Sequence, residues 1–193
     1  MRDLKRDIYR NLLEWKKNNS GKVLEIEGAR QVGKTYIISK FAKENYKTYL
    51  YINMVQTSGK EFLQCLDVAE KWEPGEERVE KPIHRALELF DKKFTDTEET
   101  VIFIDEIQES ARVFSLLREF ARDFRAHFIV TGSYLGKVFE KEYFLPAGDL
   151  DTMTLNTLSF EEFLEAAGKR ALYNELDLYG DSKPEEYEEI KSL

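Results

Sequence analysis

Gly28-Ala29-Arg30-Gln31-Val32-Gly33-Lys34-Thr35 is the stretch on which the fold turns. It fits the eight-position pattern G-x-x-x-x-G-K-[ST], whose glycines let the backbone curl until successive N–H groups and the start of the next helix face an anion. The pattern needs a strand before it and a helix after it, and both are readable. Val23-Leu24-Glu25-Ile26-Glu27 is short and β-prone, while Ile37, Ile38, Phe41 and Ala42 recur at helical spacing. In that setting Lys34 is placed to reach the β- and γ-phosphates of a nucleotide and the Thr35 hydroxyl to ligate Mg²⁺. Gly28, Ala29, Arg30, Gln31, Val32, Gly33, Lys34 and Thr35 are therefore the candidate phosphate-binding residues.

A second signal is Val101-Ile102-Phe103-Ile104-Asp105-Glu106. Four consecutive apolar residues fit a strand buried on both faces of a parallel sheet, and ligands of open α/β sheets bind at the carboxyl ends of such strands. Asp105 is placed there to hold Mg²⁺, directly or through water. Glu106 is the candidate to orient and activate an attacking water. Phe128-Ile129-Val130-Thr131-Gly132-Ser133 repeats the pattern and ends in small polar groups. Thr131 or Ser133 could there contact a γ-phosphate or the lytic water.

The remaining chain reads as alternating helices and strands. Leu4, Ile8, Leu12 and Trp15 draw an apolar stripe on a helix over residues 3–18, and Tyr49-Leu50-Tyr51-Ile52 is a strand. Helices are predicted over 61–71 and 82–90, the latter opened by Pro82, whose missing N–H is harmless in a first turn. A single helix is predicted to carry Val113, Leu116, Leu117, Phe120, Ala121 and Phe124 on one face, and Met153–Leu155 is one more strand. The class is α/β with a mainly parallel sheet.

The 193 residues carry a formal net charge of -8, against the basic footprint of a nucleic-acid coat. The charge is uneven: residues 171–193 hold seven carboxylates against two lysines, a net -5 that leaves only -3 for residues 1–170. Residues 1–22 are locally +4. One cysteine, Cys65, excludes an intramolecular disulfide and fits a reducing, cytoplasmic compartment. No apolar run reaches the roughly 18–20 residues of a membrane span. His84 and His127 are isolated and are read as no ligands, and the abundant Tyr and Phe are read as core.

Taken together, Gly28–Thr35, Phe103-Ile-Asp-Glu-Ile-Gln108, Thr131-Gly-Ser-Tyr-Leu135 and Leu158-Ser-Phe-Glu-Glu-Phe-Leu164 resemble the prokaryotic AAA-type P-loop ATPases whose ATPase domain is usually followed by a C-terminal domain of unknown function. The resemblance covers about residues 2–168. It implies an additional-strand P-loop fold with strand order 5-1-4-3-2, an AAA-like domain over residues 1–168, and an acidic tail over 169–193 read as the start of a C-terminal domain. It also implies ATP and Mg²⁺ as ligands, Asp105 and Thr35 at the metal, Glu106 as general base and Thr131 or Ser133 as sensor. Asp149 departs from the pattern, since the family tends to a basic residue after its Pro-x-Gly.

The function expected is Mg-dependent ATP binding and hydrolysis that drives a molecular switch, ATP being favoured because no Asn-Lys-x-Asp element reads guanine. The alternative is a nucleotide-responsive interaction module with negligible turnover, and a third reading is a P-loop kinase. A homo-oligomer or partner protein would supply an arginine. Arg112, Arg118, Arg122 and Arg125 are read mainly as a solvated face, and DNA contact through this chain alone is not expected.

Overall fold

The computed structural model describes residues 5–18, 21–71, 81–132 and 148–172. In chain order the elements are α1 (Ile8–Asn18), β1 (Val23–Glu27), α2 (Lys34–Asn45), β2 (Thr48–Asn53), α3 (Thr57–Glu70), α4 (Pro82–Phe90), β3 (Thr100–Asp105), a 3-10 turn (Ile107–Glu109), α5 (Ala111–Ser115), α6 (Leu117–Arg122), β4 (His127–Thr131), β5 (Leu150–Thr154) and α7 (Phe160–Ala166). They fall into two compact units, residues 18–155 and the described parts of 1–17 with 156–193.

In the larger unit the strands form one parallel sheet in the order β2-β3-β4-β1-β5, which is the expected 5-1-4-3-2 read from the other edge. Burial explains why each strand reads as it does. All six residues of β3 and all five of β4 are buried, as central strands covered on both faces require. β5 lies at the edge and is half-exposed, so it tolerates Asp151, whose carboxylate takes the Lys22 ammonium at 3.0 Å. Its extent is set by pairing with β1, from Val23↔Leu150 to Glu27↔Thr154, not by the apolar Met153–Leu155 that the sequence advertises.

The core fills the space between sheet and helices. Phe62, Phe103, Phe114, Phe120 and Phe128 are fully buried within it, each contributing about 1.5–3 kcal/mol by leaving water. Phe120 stacks on Phe128 with ring centroids 4.4 Å apart, locking α6 onto β4.

The helix expected after Glu106 is broken. It stops at Leu116 (φ -83°, ψ 0°), where the Leu116 N–H takes a tighter bond to the Val113 carbonyl. Two short helices bury both Val113/Phe114 and Leu117/Phe120, which one straight stripe omitting Phe114 would not. α3 starts four residues before the expected Glu61, because Gly59 lets its first turn lie against β2: a Cβ there would stand 2.6 Å from the Asn53 carbonyl oxygen. α1 begins at Ile8; residues 5–7 are not helical, and residues 3 and 4 lie outside the described residues. Its stripe of Ile8, Leu12 and Trp15 is the buried side, as expected.

The smaller unit is organised by the Ser-Phe-Glu-Glu stretch. The Ser159 hydroxyl accepts from the Glu162 N–H at 3.1 Å while Glu162 Oε2 accepts from the Ser159 N–H at 2.8 Å, a reciprocal cap on α7. Glu162 Oε1 also takes the Asp7 N–H at 2.9 Å and Arg6 Nε at 3.1 Å.

Candidate nucleotide-binding site

The loop from Gly28 to Gly33 leaves the carboxyl end of β1 and enters α2, and its backbone explains its glycines. Gly28 has φ +142°, and a Cβ there would stand 2.2 Å from the Leu155 carbonyl oxygen. Gly33 has φ +95° immediately before α2, and Gln31 is also left-handed at φ +66°. The first-turn N–H groups of a helix have no intrahelical acceptor, so this turn presents donors to the space above the loop. Ala29, Arg30 and Gln31 are exposed, and Gly28 and Val32 half-buried. Lys34 Nζ lies over the same loop, donating to the carbonyls of Gly28 at 2.7 Å and Ala29 at 2.9 Å.

One helix and two strands bring polar groups to one carboxylate. Thr35 Oγ1 donates to Asp105 Oδ2 at 2.9 Å across 70 residues of chain. From β4, the Thr131 hydroxyl donates to Asp105 Oδ1. From β2, the Tyr51 hydroxyl donates to Oδ2 at 2.9 Å, and Asn53 Nδ2 reaches the same oxygen at 3.3 Å and the Tyr51 oxygen at 3.1 Å. The Asn53 side chain is oriented by its Oδ1, which accepts the Val55 N–H at 3.0 Å. Asp105 is 4% exposed, so this set of donors matches what a buried carboxylate requires. Burial, with the neighbouring Asp105 charge adding to it, pushes the Tyr51 phenol up to about 12, so it remains a donor at any physiological pH.

The oxygens suit a hard cation. Octahedral Mg²⁺ with bonds of about 2.0–2.1 Å has adjacent ligand oxygens about 2.9 Å apart, and Thr35 Oγ1 and Asp105 Oδ2 stand at 2.9 Å.

Glu106 follows Asp105 but leaves the strand. It is half-buried and left-handed (φ 56°, ψ 44°), and Gln108 Nε2 donates to its Oε2 at 2.6 Å. Ser133 lies outside the described residues. The structure thus gathers Thr35, Asp105 and Thr131 directly, with Lys34 over the same loop and Glu106 one residue on.

Sequence reasoning missed Tyr51, Asn53 and Gln108. In sequence Tyr51 reads only as a strand aromatic, although residues 51 and 53 share a face of β2 and Asn53 pairs in register with Asp105. The signal was a polar residue ending an apolar strand.

The arginines have carboxylate partners within the chain. Arg112 holds Asp67 at 2.6 Å and Glu70 at 2.9 Å, Arg122 and Arg118 both meet Asp149 at 3.1 and 3.6 Å, and Arg125 faces Glu98 at 3.8 Å. Asp149 is thus the anionic partner of two α6 arginines. His84 stacks on Phe124 at 3.9 Å, and His127 Nδ1 meets the Tyr46 hydroxyl at 2.6 Å.

Among the described residues no helix is long and apolar enough to cross a membrane. No curated protein matches the sequence. Among solved structures, the ORC1 protein of Aeropyrum pernix in complex with DNA superposes with a TM-score of 0.50 at 13% identity, covering 84% of this chain and 48% of that one. Drosophila ORC bound to DNA gives 0.50 at 14% identity, covering 87% and 48%. The chain spans about half the length of these structures, and the likeness is one of fold. Residues 20–164, about three quarters of the sequence, match the family described as AAA domain. With the parallel five-stranded sheet and the loop at the end of β1, the chain belongs to the AAA-type P-loop ATPases.

Proposed function

We propose that this protein binds Mg-ATP at the Gly28–Thr35 loop and hydrolyses it slowly, the cycle acting as a switch on a neighbouring domain or partner. The observation that carries the reading is the Thr35 hydroxyl on the Asp105 carboxylate, which joins the loop to the end of β3. Thr35 and Asp105 would hold Mg²⁺, which when bound draws charge from the phosphate oxygens. Lys34 would exchange the carbonyls of Gly28 and Ala29 for phosphate oxygens, a stronger pairing for an ammonium. Glu106 would take the proton of the attacking water, and Thr131, bonded to Asp105, or Ser133 would report the change to the sheet.

Residues 1–168 are proposed as the AAA-like domain and 169–193 as an acidic continuation. An arginine from a second copy or partner belongs to the proposal, because Arg112, Arg118, Arg122 and Arg125 each have a carboxylate within the chain.

The test is calorimetric titration of the 193-residue chain with Mg-ATP beside a phosphate-release assay. Lys34→Ala should abolish binding, and Glu106→Gln should bind but not turn over. Unchanged affinity in Lys34→Ala overturns the site. Binding without turnover at any protein concentration favours a nucleotide-responsive interaction module instead.

A further inference from the structure

Glu106 is the only acid of the proposed machinery that sits outside the Asp105 cluster, and its backbone conformation is costly. A left-handed residue other than glycine is strained relative to the right-handed alternative, and such strain persists only where the surroundings enforce it. Here the enforcement is local. The Glu106 carbonyl accepts the Glu109 N–H at 3.0 Å, and Ile107 is fully buried, so the chain must reverse immediately after β3. That reversal brings the side chain of residue 108 back toward that of residue 106.

Gln108 occupies the return position and is only 3% exposed. A buried amide must satisfy its donors, and its NH₂ group does so on carboxylates, Glu106 Oε2 at 2.6 Å and Glu109 Oε1 at 3.3 Å. The orientation of the amide is dictated, because an ionised carboxylate only accepts. Glu106 Oε2 is thereby held, while Oε1 is the oxygen left to accept a proton from water.

We propose that Gln108 is the positioning residue for Glu106, fixing the rotation of its carboxylate so that one oxygen is presented to the attacking water. The role rests on the ATPase reading given above. The left-handed turn sets where Glu106 starts, and the Gln108 amide sets where its carboxylate ends. A free glutamate would sample several rotamers, and only a fraction would meet the water. The role proposed for Gln108 is exerted through Glu106.

The test compares Gln108→Met, which keeps the volume and loses the donor, with wild type. Gln108→Met should lower kcat about tenfold, the scale of one lost charge-assisted hydrogen bond, with KM for Mg-ATP unchanged within about twofold. An unchanged kcat in Gln108→Met, or a loss carried by KM instead of kcat, overturns the proposal. A second measurement needs neither turnover nor a Gln108 variant: the Gln108 side-chain NH₂ resonances should shift upfield in Glu106→Ala, and resonances that stay in place overturn it. Wild-type chain without turnover would overturn the ATPase reading itself, whereas the resonances would still report whether Gln108 holds Glu106.

Discussion

The Thr35 hydroxyl and the Asp105 carboxylate, 70 residues apart in sequence, meet at 2.9 Å where α2 starts and β3 ends. That contact makes a prediction about the metal separate from one about the phosphates. Thr35→Val removes the hydroxyl proposed to hold Mg²⁺ but leaves the loop backbone and Lys34 in place. It should weaken ATP binding about tenfold or more in the presence of Mg²⁺ and change it little in excess chelator, while Thr35→Ser keeps both affinities. Titration calorimetry with and without Mg²⁺ checks this, and an equal loss under both conditions would refute it.

The two loop glycines are needed for different reasons. At Gly33 a Cβ meets nothing within 4 Å, so Gly33→Ala should cost only the left-handed strain, about 1–2 kcal/mol. At Gly28 the φ of +142° is compounded by the Leu155 carbonyl at 2.2 Å from the new Cβ, and Leu155 is itself tied to β1 by its N–H on the Glu27 carbonyl at 2.8 Å. Gly28→Ala should cost about 1–3 kcal/mol more than Gly33→Ala. Urea unfolding of the two variants decides it; equal stabilities would show that the close approach is relieved without cost.

Tyr51 shows why part of the site was illegible in sequence. The loop, Asp105 and Thr131 are readable because each ends a buried apolar strand or opens a helix, and that position itself is the signal. Tyr51 sits mid-strand among Tyr49, Leu50 and Ile52, where an aromatic is ordinary β-sheet composition. Only the β2–β3 register, with Tyr51 beside Phe103 and Asn53 beside Asp105, reveals that its hydroxyl reaches the carboxylate. The same holds for the break at Leu116, which depends on how Phe114 packs in three dimensions. Tyr51→Phe should therefore lower stability by about 1 kcal/mol in the absence of nucleotide, since Asp105 keeps its other donors. Thermal unfolding of the nucleotide-free chain measures this, and a variant as stable as wild type would argue against the bond.

The Asp149 carboxylate takes Arg122 at 3.1 and 3.2 Å and Arg118 at 3.6 Å. Both arginines are more than half exposed, so solvent screening limits the gain to about 1 kcal/mol or less. Asp149→Ala should show a small, salt-sensitive loss of stability. Asp149→Lys should lose more, because three cations then crowd the start of β5. The ordering should collapse at high salt, and a Lys variant equal to Ala at low salt would contradict the electrostatic account.

Glu162 links acidity to the smaller unit. Burial by itself would raise its carboxyl, but the N–H groups of Ser159 and Asp7 and the Arg6 guanidinium outweigh burial and hold it below the usual glutamate range. A carboxylate depressed in the folded state binds fewer protons there than in the unfolded chain at the same pH. Its contribution is therefore complete above the ordinary glutamate value of about 4.3 and disappears as pH falls through the lower folded value. Protonation would strip the acceptor from the Asp7 and Ser159 amides together, so both should lose hydrogen-exchange protection, corrected for intrinsic rates, over the same acid interval. In Glu162→Gln that acid-dependent loss should vanish, with a pH-independent destabilisation of about 1 kcal/mol, the cost of a weakened cap. Asp7 and Ser159 amides that keep their protection in acid, or that lose it identically in the Gln variant, would place the acid sensitivity of this unit on some other group.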